Sequence, residues 1–239
     1  MNEGYDGPSV LYLVRHGESA GNLALTAAES AGSDVIETGC RDADVALSSL
    51  GERQATALGL WFAELAPEAR PTVILTSPYR RAQHTAQLIE EQLGTSVTRG
   101  VIPDERLREK EFGILDQFTN AGVLAHFPDQ AALKKTVGKF YYRSPGGESW
   151  CDVILRLRSV MESINREQRG QRVVLVGHQV VVLCLRYILE QMTEQEILDI
   201  DAAGEVHNCS VTTYTLAHTS NGENRLTLER FNHVESVCS

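Results

Sequence analysis

Short apolar runs alternate with segments of helical period along most of the chain. The runs at 9–14, 71–75, 96–102 and 172–176 have the length and β-branched content of buried strands. Stretches 208–216 and 225–231 read as two more strands, joined by a turn at Asn221-Gly222. Helices are predicted between them. Ser49-Leu50-Gly51-Glu52 reads as a capping box opening a helix to about Leu65. Ser77 as N-cap with Pro78 in the first helical position opens another. Segment 148–166 is amphipathic, 180–190 is apolar almost all round and therefore buried, and Thr193 to Glu196 caps a short helix. Segment 21–45 is polar and broken by Gly32 and Gly39, which predicts a long loop acting as a lid or specificity element. Alternation of this kind predicts a three-layer α/β/α fold with a mostly parallel sheet. The chain reads as one domain, 1–239, with a helical insertion over the site at 116–144, and contains no internal repeat.

The first strand ends in Leu13-Val14-Arg15-His16-Gly17-Glu18-Ser19, which sets a guanidinium and an imidazole side by side where open α/β sheets keep their ligands. Arg172-Val173-Val174-Leu175-Val176-Gly177-His178-Gln179 repeats the arrangement, and the helix after His178 would aim free N–H groups at an anion. Thr76-Ser77-Pro78-Tyr79-Arg80-Arg81 follows a third strand. Its arginines sit in a first helical turn, where the helix dipole disfavours a cation, so a bound anion would explain them. Each histidine could equally be a strand-end residue satisfied by the backbone; together they suggest one convergent site.

These residues resemble the histidine phosphatase superfamily, which includes the cofactor-dependent phosphoglycerate mutases and the fructose-2,6-bisphosphatases. The resemblance runs from about residue 9 to about residue 216 and rests on RHGESAGN (15–22), SPYRRAQHTA (77–86), LREKEFG (107–113), PGGES (145–149) and VGHQ (176–179). It implies a phosphoglycerate mutase-like fold in which His16 is phosphorylated, Arg15, Arg81 and His178 bind the phosphoryl group, and Glu109 donates the proton. Asn22 and Gln179 fall at substrate-contact positions. VGHQ and the FYYRSPGGES region are nearer to the fructose-2,6-bisphosphatase type, whose basic loop for a remote phosphate resembles Lys135, Lys139 and Arg143 here. That implies a phosphomonoesterase acting on a small phosphorylated metabolite, with a sugar bisphosphate as one candidate, and no cofactor or metal. A mutase-type phosphotransferase and a non-catalytic phosphometabolite-binding regulator are the alternatives. Gln117 and Phe118 depart from the family pattern beside the pocket, which leaves the sugar phosphate undefined.

The chemistry fits these residue types. Phosphoryl transfer needs an in-line nucleophile, cationic donors and a proton for the leaving oxygen. Nearby guanidiniums keep His16 neutral, and His178 becomes a charged donor when a phosphate dianion is bound. Arginines lower the Glu109 carboxyl pKa while an incoming dianion raises it, so Glu109 gains its proton in the loaded site; Glu111 is its rival. A formal charge of −10 argues against nucleic acid as a partner. No apolar stretch reaches a membrane span, and no leader is evident at the start, so a soluble cytoplasmic protein is expected. Cys40, Cys151, Cys184, Cys209 and Cys238 are odd in number and lack CxxC spacing, which argues against a disulfide framework or zinc site. A homodimer is left open.

Overall fold

The computed structural model describes residues 7–97, 99–218 and 224–234. Six strands, β1 (Val10–Arg15), β2 (Val73–Thr76), β3 (Val101–Pro103), β4 (Arg172–Gly177), β5 (Val211–His218) and β6 (Asn224–His233), form one sheet in the order β3-β2-β4-β1-β5-β6. The pairs from β3 through to β1 are parallel; β5 runs antiparallel to both β1 and β6. The helices are α1 (Ala20–Ala31), α2 (Ser49–Glu64), α3 (Arg80–Leu93), α4 (Asn120–His126), α5 (Pro128–Val137), α6 (Trp150–Glu167), α7 (Gln179–Leu189) and α8 (Glu194–Ala203).

Side chains of a strand alternate between its two faces, and β1 and β4 are buried on both. Leu11, Leu13, Val173 and Leu175 pack with Trp150, Val153 and Leu157 of α6 and Val182 of α7. Tyr12, Val14, Val174 and Val176 pack on the other face with Leu58 and Phe62 of α2 and with Ala82, Ala86 and Ile89 of α3. Leu58 and Phe62 lose essentially all contact with water, and each such burial contributes about 1.5–3 kcal/mol. The period-two pattern thus produces two cores, and three layers follow.

Strand register places the site. Arg15 lies opposite Gly177, and Thr76 opposite Val176. His16, Ser77 and His178 therefore leave the sheet at one level, held by His16 N–H to Gly177 O at 3.0 Å and Ser77 N–H to Val176 O at 2.9 Å.

Local structure departs from the sequence expectations in several places. Part of the loop expected at 21–45 is helix α1: Ser19 and Asn22 form a reciprocal capping box, and the alanine-rich run Ala24 to Ala31 favours a helix. Its inward face is small and only partly covered: Gly21, Ala24 and Leu25 are half-buried and only Ala28 is fully buried. Helix α2 starts one residue early, with Ser48 as N-cap accepting from Gly51 N–H, so Ser49 and Glu52 do not form the expected box. Ser77 is not an N-cap and Pro78 is not helical. Tyr79 is the N-cap of α3, because the Ser77 hydroxyl is spent on Tyr79 N–H and on His178. The strand expected at 96–102 is shorter and shifted, β3 running Val101–Pro103 after a 3-10 turn at Gly94–Ser96. The insertion expected at 116–144 contains two short helices, α4 and α5, since Pro128 disfavours helical backbone at Phe127 and starts α5 itself. Gly122 of α4 lies so close to the loop that a Cβ would stand 2.0 Å from Asp34 O. The Thr193–Glu196 capping box forms as expected, and the Asn221-Gly222 turn lies outside the described residues.

Candidate active site

His16 is held in one tautomer. Its Nδ1 lies 2.7 Å from Gly17 O, a pure acceptor, so Nδ1 carries the proton and Nε2 presents a lone pair. Arg81 Nε donates to that Nε2 at 3.1 Å. Gly17 is required here, because a Cβ would lie 2.5 Å from the Gly51 carbonyl oxygen at the start of α2. Burial, then Arg81 and Arg15, hold the His16 pKa well below the ordinary histidine value. The imidazole is therefore neutral. His178 stacks edge-on against it, with ring centroids 5.1 Å apart, and its Nε2 meets Ser77 Oγ at 2.8 Å. Burial, Arg81 and His16 keep His178 neutral as well, so its positive charge depends on an arriving dianion.

The cations surround this pair. Arg15 donates through Nη1 to the Val206 carbonyl and lies 3.4 Å from Glu205. Arg81, in the first turn of α3, pairs through Nη1 and Nη2 with Asp42 Oδ1 and Oδ2 at 2.9 and 3.1 Å. Two buried nitrogens, Arg15 Nε and His178 Nδ1, have no protein partner. Buried polar atoms are rarely left so, and an oxyanion bound beside His16 would satisfy such atoms.

Glu109 faces a cavity of about 390 Å³ whose lining includes Arg15, His16, Asn22, Arg81, Glu109 and Gln179. Burial raises the Glu109 pKa, Arg81 and Arg15 oppose this, and Asp42 adds to it. The expectation that the arginines would dominate in the empty site is thus reversed: burial outweighs them. Glu111 does not line the cavity and accepts instead from Tyr79 Oη at 2.8 Å. The Glu109 loop is held from behind by Arg156, which donates to Arg106 O at 2.6 Å, Glu109 O at 3.2 Å, and Glu148 Oε1 and Oε2 at 2.9 and 3.0 Å. Glu148 in turn accepts from Glu111 N–H at 3.1 Å and Arg108 Nη2 at 2.7 Å. Asn22 has two tasks, since its Oδ1 also accepts from Ser19 N–H at 3.0 Å in the α1 cap.

The basic run lies elsewhere. Lys135, Lys139 and Arg143 are exposed and none of them lines the cavity. Lys139 pairs with Asp201, and Arg143 with Asp152, itself the capping-box residue of α6. Two of these charges tie 138–143 to α8 and α6, so the structure does not bring the three residues together with the inner site, and their expected role in holding a remote phosphate stays a matter for experiment. Gln117 and Phe118 do reach the cavity. Gln117 adopts φ 61° and donates to Thr38 Oγ1 and Cys40 O at 3.2 and 3.0 Å, pinning the 36–40 loop.

Sequence reasoning missed Asp42, Ser77 as the partner of His178, Glu148 and Arg156. Glu148 lies inside the PGGES motif, which signals its importance; Asp42 and Arg156 carry no motif, and only the folded chain brings them to the site. Among the described residues no cluster of histidine, cysteine, aspartate and glutamate is arranged to hold a metal ion.

Comparison with known proteins agrees with this geometry. Residues 11–229 match the model of the histidine phosphatase superfamily (branch 1), so the chain belongs to that family. It is 30% identical over 217 residues to a 6-phosphofructo-2-kinase/fructose-2,6-bisphosphatase of Caenorhabditis elegans, matching 87% of this chain and 42% of that protein. The chain thus spans well under half the length of that relative. It is 29% identical over 196 residues to a 2,3-bisphosphoglycerate-dependent phosphoglycerate mutase of Methylorubrum extorquens (strain PA1), covering 81% and 85%. The solved structure of a mycobacterial glucosyl-3-phosphoglycerate phosphatase superposes with a TM-score of 0.70 at 27% identity, covering 94% of this chain and 98% of that one.

Proposed function

We propose that the chain is a phosphomonoesterase that moves a phosphoryl group from a small metabolite to His16 and then to water. The observation that carries this reading is the fixed Nδ1–H tautomer of His16, with a neutral Nε2 lone pair 3.1 Å from Arg81 Nε in the cavity that Glu109 also lines.

In the resting site Arg81 is fully engaged, by His16 through Nε and by Asp42 through Nη1 and Nη2. An arriving phosphoryl group takes over these donors, which frees the Nε2 lone pair at the moment phosphorus approaches it. Nε2 attacks in line, the N–P bond forms, the P–O bond to the alcohol breaks, and Glu109 gives its proton to the departing oxygen. Arg15, Arg81 and His178 carry the charge on the phosphoryl oxygens, with Asn22 and Gln179 contacting substrate. In the second half Glu109 accepts a proton from water, the new P–O bond forms and the N–P bond breaks, restoring both residues. This scheme assigns no step to a metal or cofactor.

Cytoplasmic residence is supported by Cys40, Cys151 and Cys184, which stand outside any disulfide. Among the described residues no helix is long and apolar enough to cross a membrane. The test is release of inorganic phosphate from an aryl phosphate by the wild-type chain and its loss in His16→Ala. Absence of turnover, or full turnover by His16→Ala, would overturn the reading.

A further inference from the structure

The cavity beyond His16 has an uneven charge distribution. Among the described residues the only arginines lining it are Arg15 and Arg81, at the phosphoryl end, and no lysine lines it. The wall that would receive the rest of the substrate carries three carboxylates, Glu29, Asp42 and Asp116. Asp42 is the innermost, bonded to Arg81 Nη1 and Nη2. Glu29 and Asp116 are exposed, so they stand at the rim. Asp42 links this wall to the catalytic acid, since it adds to the raised pKa of Glu109 and, after burial, to that of Asp116. Between the carboxylates lie apolar side chains, among them Leu25, Leu115 and Phe118.

We infer that this cavity selects phosphomonoesters whose alcohol portion bears no second anionic group, with Asp42 and Asp116 as the residues that reject one. The inference rests on the phosphatase reading above and narrows it to uncharged or cationic alcohols with an apolar face. A second phosphate or a carboxylate would lie against like charge with no cation left to pair it, since Arg15 and Arg81 are used by the phosphoryl group and the nearby basic run is outside the cavity. Like-charge placement of this kind excludes substrates more sharply than attraction selects them.

The experiment compares three matched esters, 4-carbamoylphenyl, 4-carboxyphenyl and 4-(aminomethyl)phenyl phosphate, as neutral, anionic and cationic probes. The wild-type chain is expected to favour the neutral over the anionic ester by tenfold or more in kcat/KM, as low-salt repulsion from several carboxylates requires, and the preference should shrink in 0.5 M salt (about a 4 Å screening length). Asp42→Asn and Asp116→Asn should each move the neutral-to-anionic ratio several-fold toward unity and lower the relative rate of the cationic ester. Taking ratios between wild type and variant cancels leaving-group reactivity. Whichever of the neutral and cationic esters is faster in the wild type separates the two permitted kinds of alcohol. Equal wild-type turnover of the neutral and anionic esters would overturn the inference while leaving the phosphatase reading intact, as would ratios unchanged in both variants. Hydrolysis of none of the three would overturn the phosphatase reading itself.

Discussion

Arg156→Lys tests whether the scaffold behind Glu109 matters to the chemistry. Arg156 and Glu148 are 10% and 12% exposed, so their interactions are little screened. The guanidinium serves four acceptor atoms at once, the carbonyls of Arg106 and Glu109 and both oxygens of Glu148. An ammonium is a point charge that can follow Glu148 but cannot span this fork. Losing the two backbone bonds from a charged donor, at about 1.5–3 kcal/mol each and partly offset by the retained charge, gives an expected destabilisation of about 2–4 kcal/mol. Urea unfolding measures it. The catalytic effect is separable, because a shift of about 1 Å in the proton donor costs about 10²-fold only where the proton is needed. Hydrolysis of an alkyl phosphate should therefore fall by about that factor, while a nitrophenyl ester, whose leaving group departs without a proton, should fall far less. A variant that loses stability yet slows both esters equally would refute the claim that Arg156 positions Glu109.

Other outcomes follow from the same geometry. The depressed His16 pKa keeps the nucleophile neutral as pH falls, and the raised Glu109 pKa keeps the acid protonated until pH rises through it. kcat/KM on an alkyl phosphate should thus peak on the acidic side of neutrality. Glu109→Gln should cut it by about 10²-fold or more and flatten the alkaline limb, whereas Glu111→Gln should preserve that limb; a reversed result would reassign the proton donor. Lys139→Ala with Arg143→Ala should leave the ratio of bisphosphate to monophosphate turnover unchanged and lower the unfolding temperature, because both cations are engaged in ion pairs on α8 and α6. Selective loss of bisphosphate turnover would support the remote-phosphate role.

Strand patterns and motif positions carried most of the fold and the inner site in the sequence. Apolar runs ending in a histidine beside a glycine locate two strand ends, and parallel pairing brings them together, so Arg15, His16 and His178 were legible in the sequence, as was Arg81 from its place in a first helical turn after another strand. Two kinds of information were not. Of its apolar residues helix α1 turns inward only Gly21, Ala24, Leu25 and Ala28, small residues apart from Leu25, so its hydrophobic periodicity is weak beside its polar and glycine-broken surroundings. Partners that meet only through tertiary structure, such as Asp42 on Arg81 or Arg156 behind Glu109, are separated by 39 and 47 positions and carry no local signal. The pairing of the basic run was hidden for a related reason. Spacing matched Lys135, Lys139 and Arg143 to a phosphate loop, but spacing cannot show that Asp201 and Asp152 already hold two of those charges.

The central claim is that phosphorus is bonded to His16 between the two half-reactions. Rapid mixing with ³²P-labelled substrate, followed by an alkaline quench, should leave a phosphoryl group on the chain that is stable in base, lost in acid, and mapped to His16. His16→Ala should carry no label. Label resistant to acid, or label persisting in His16→Ala, would contradict the account.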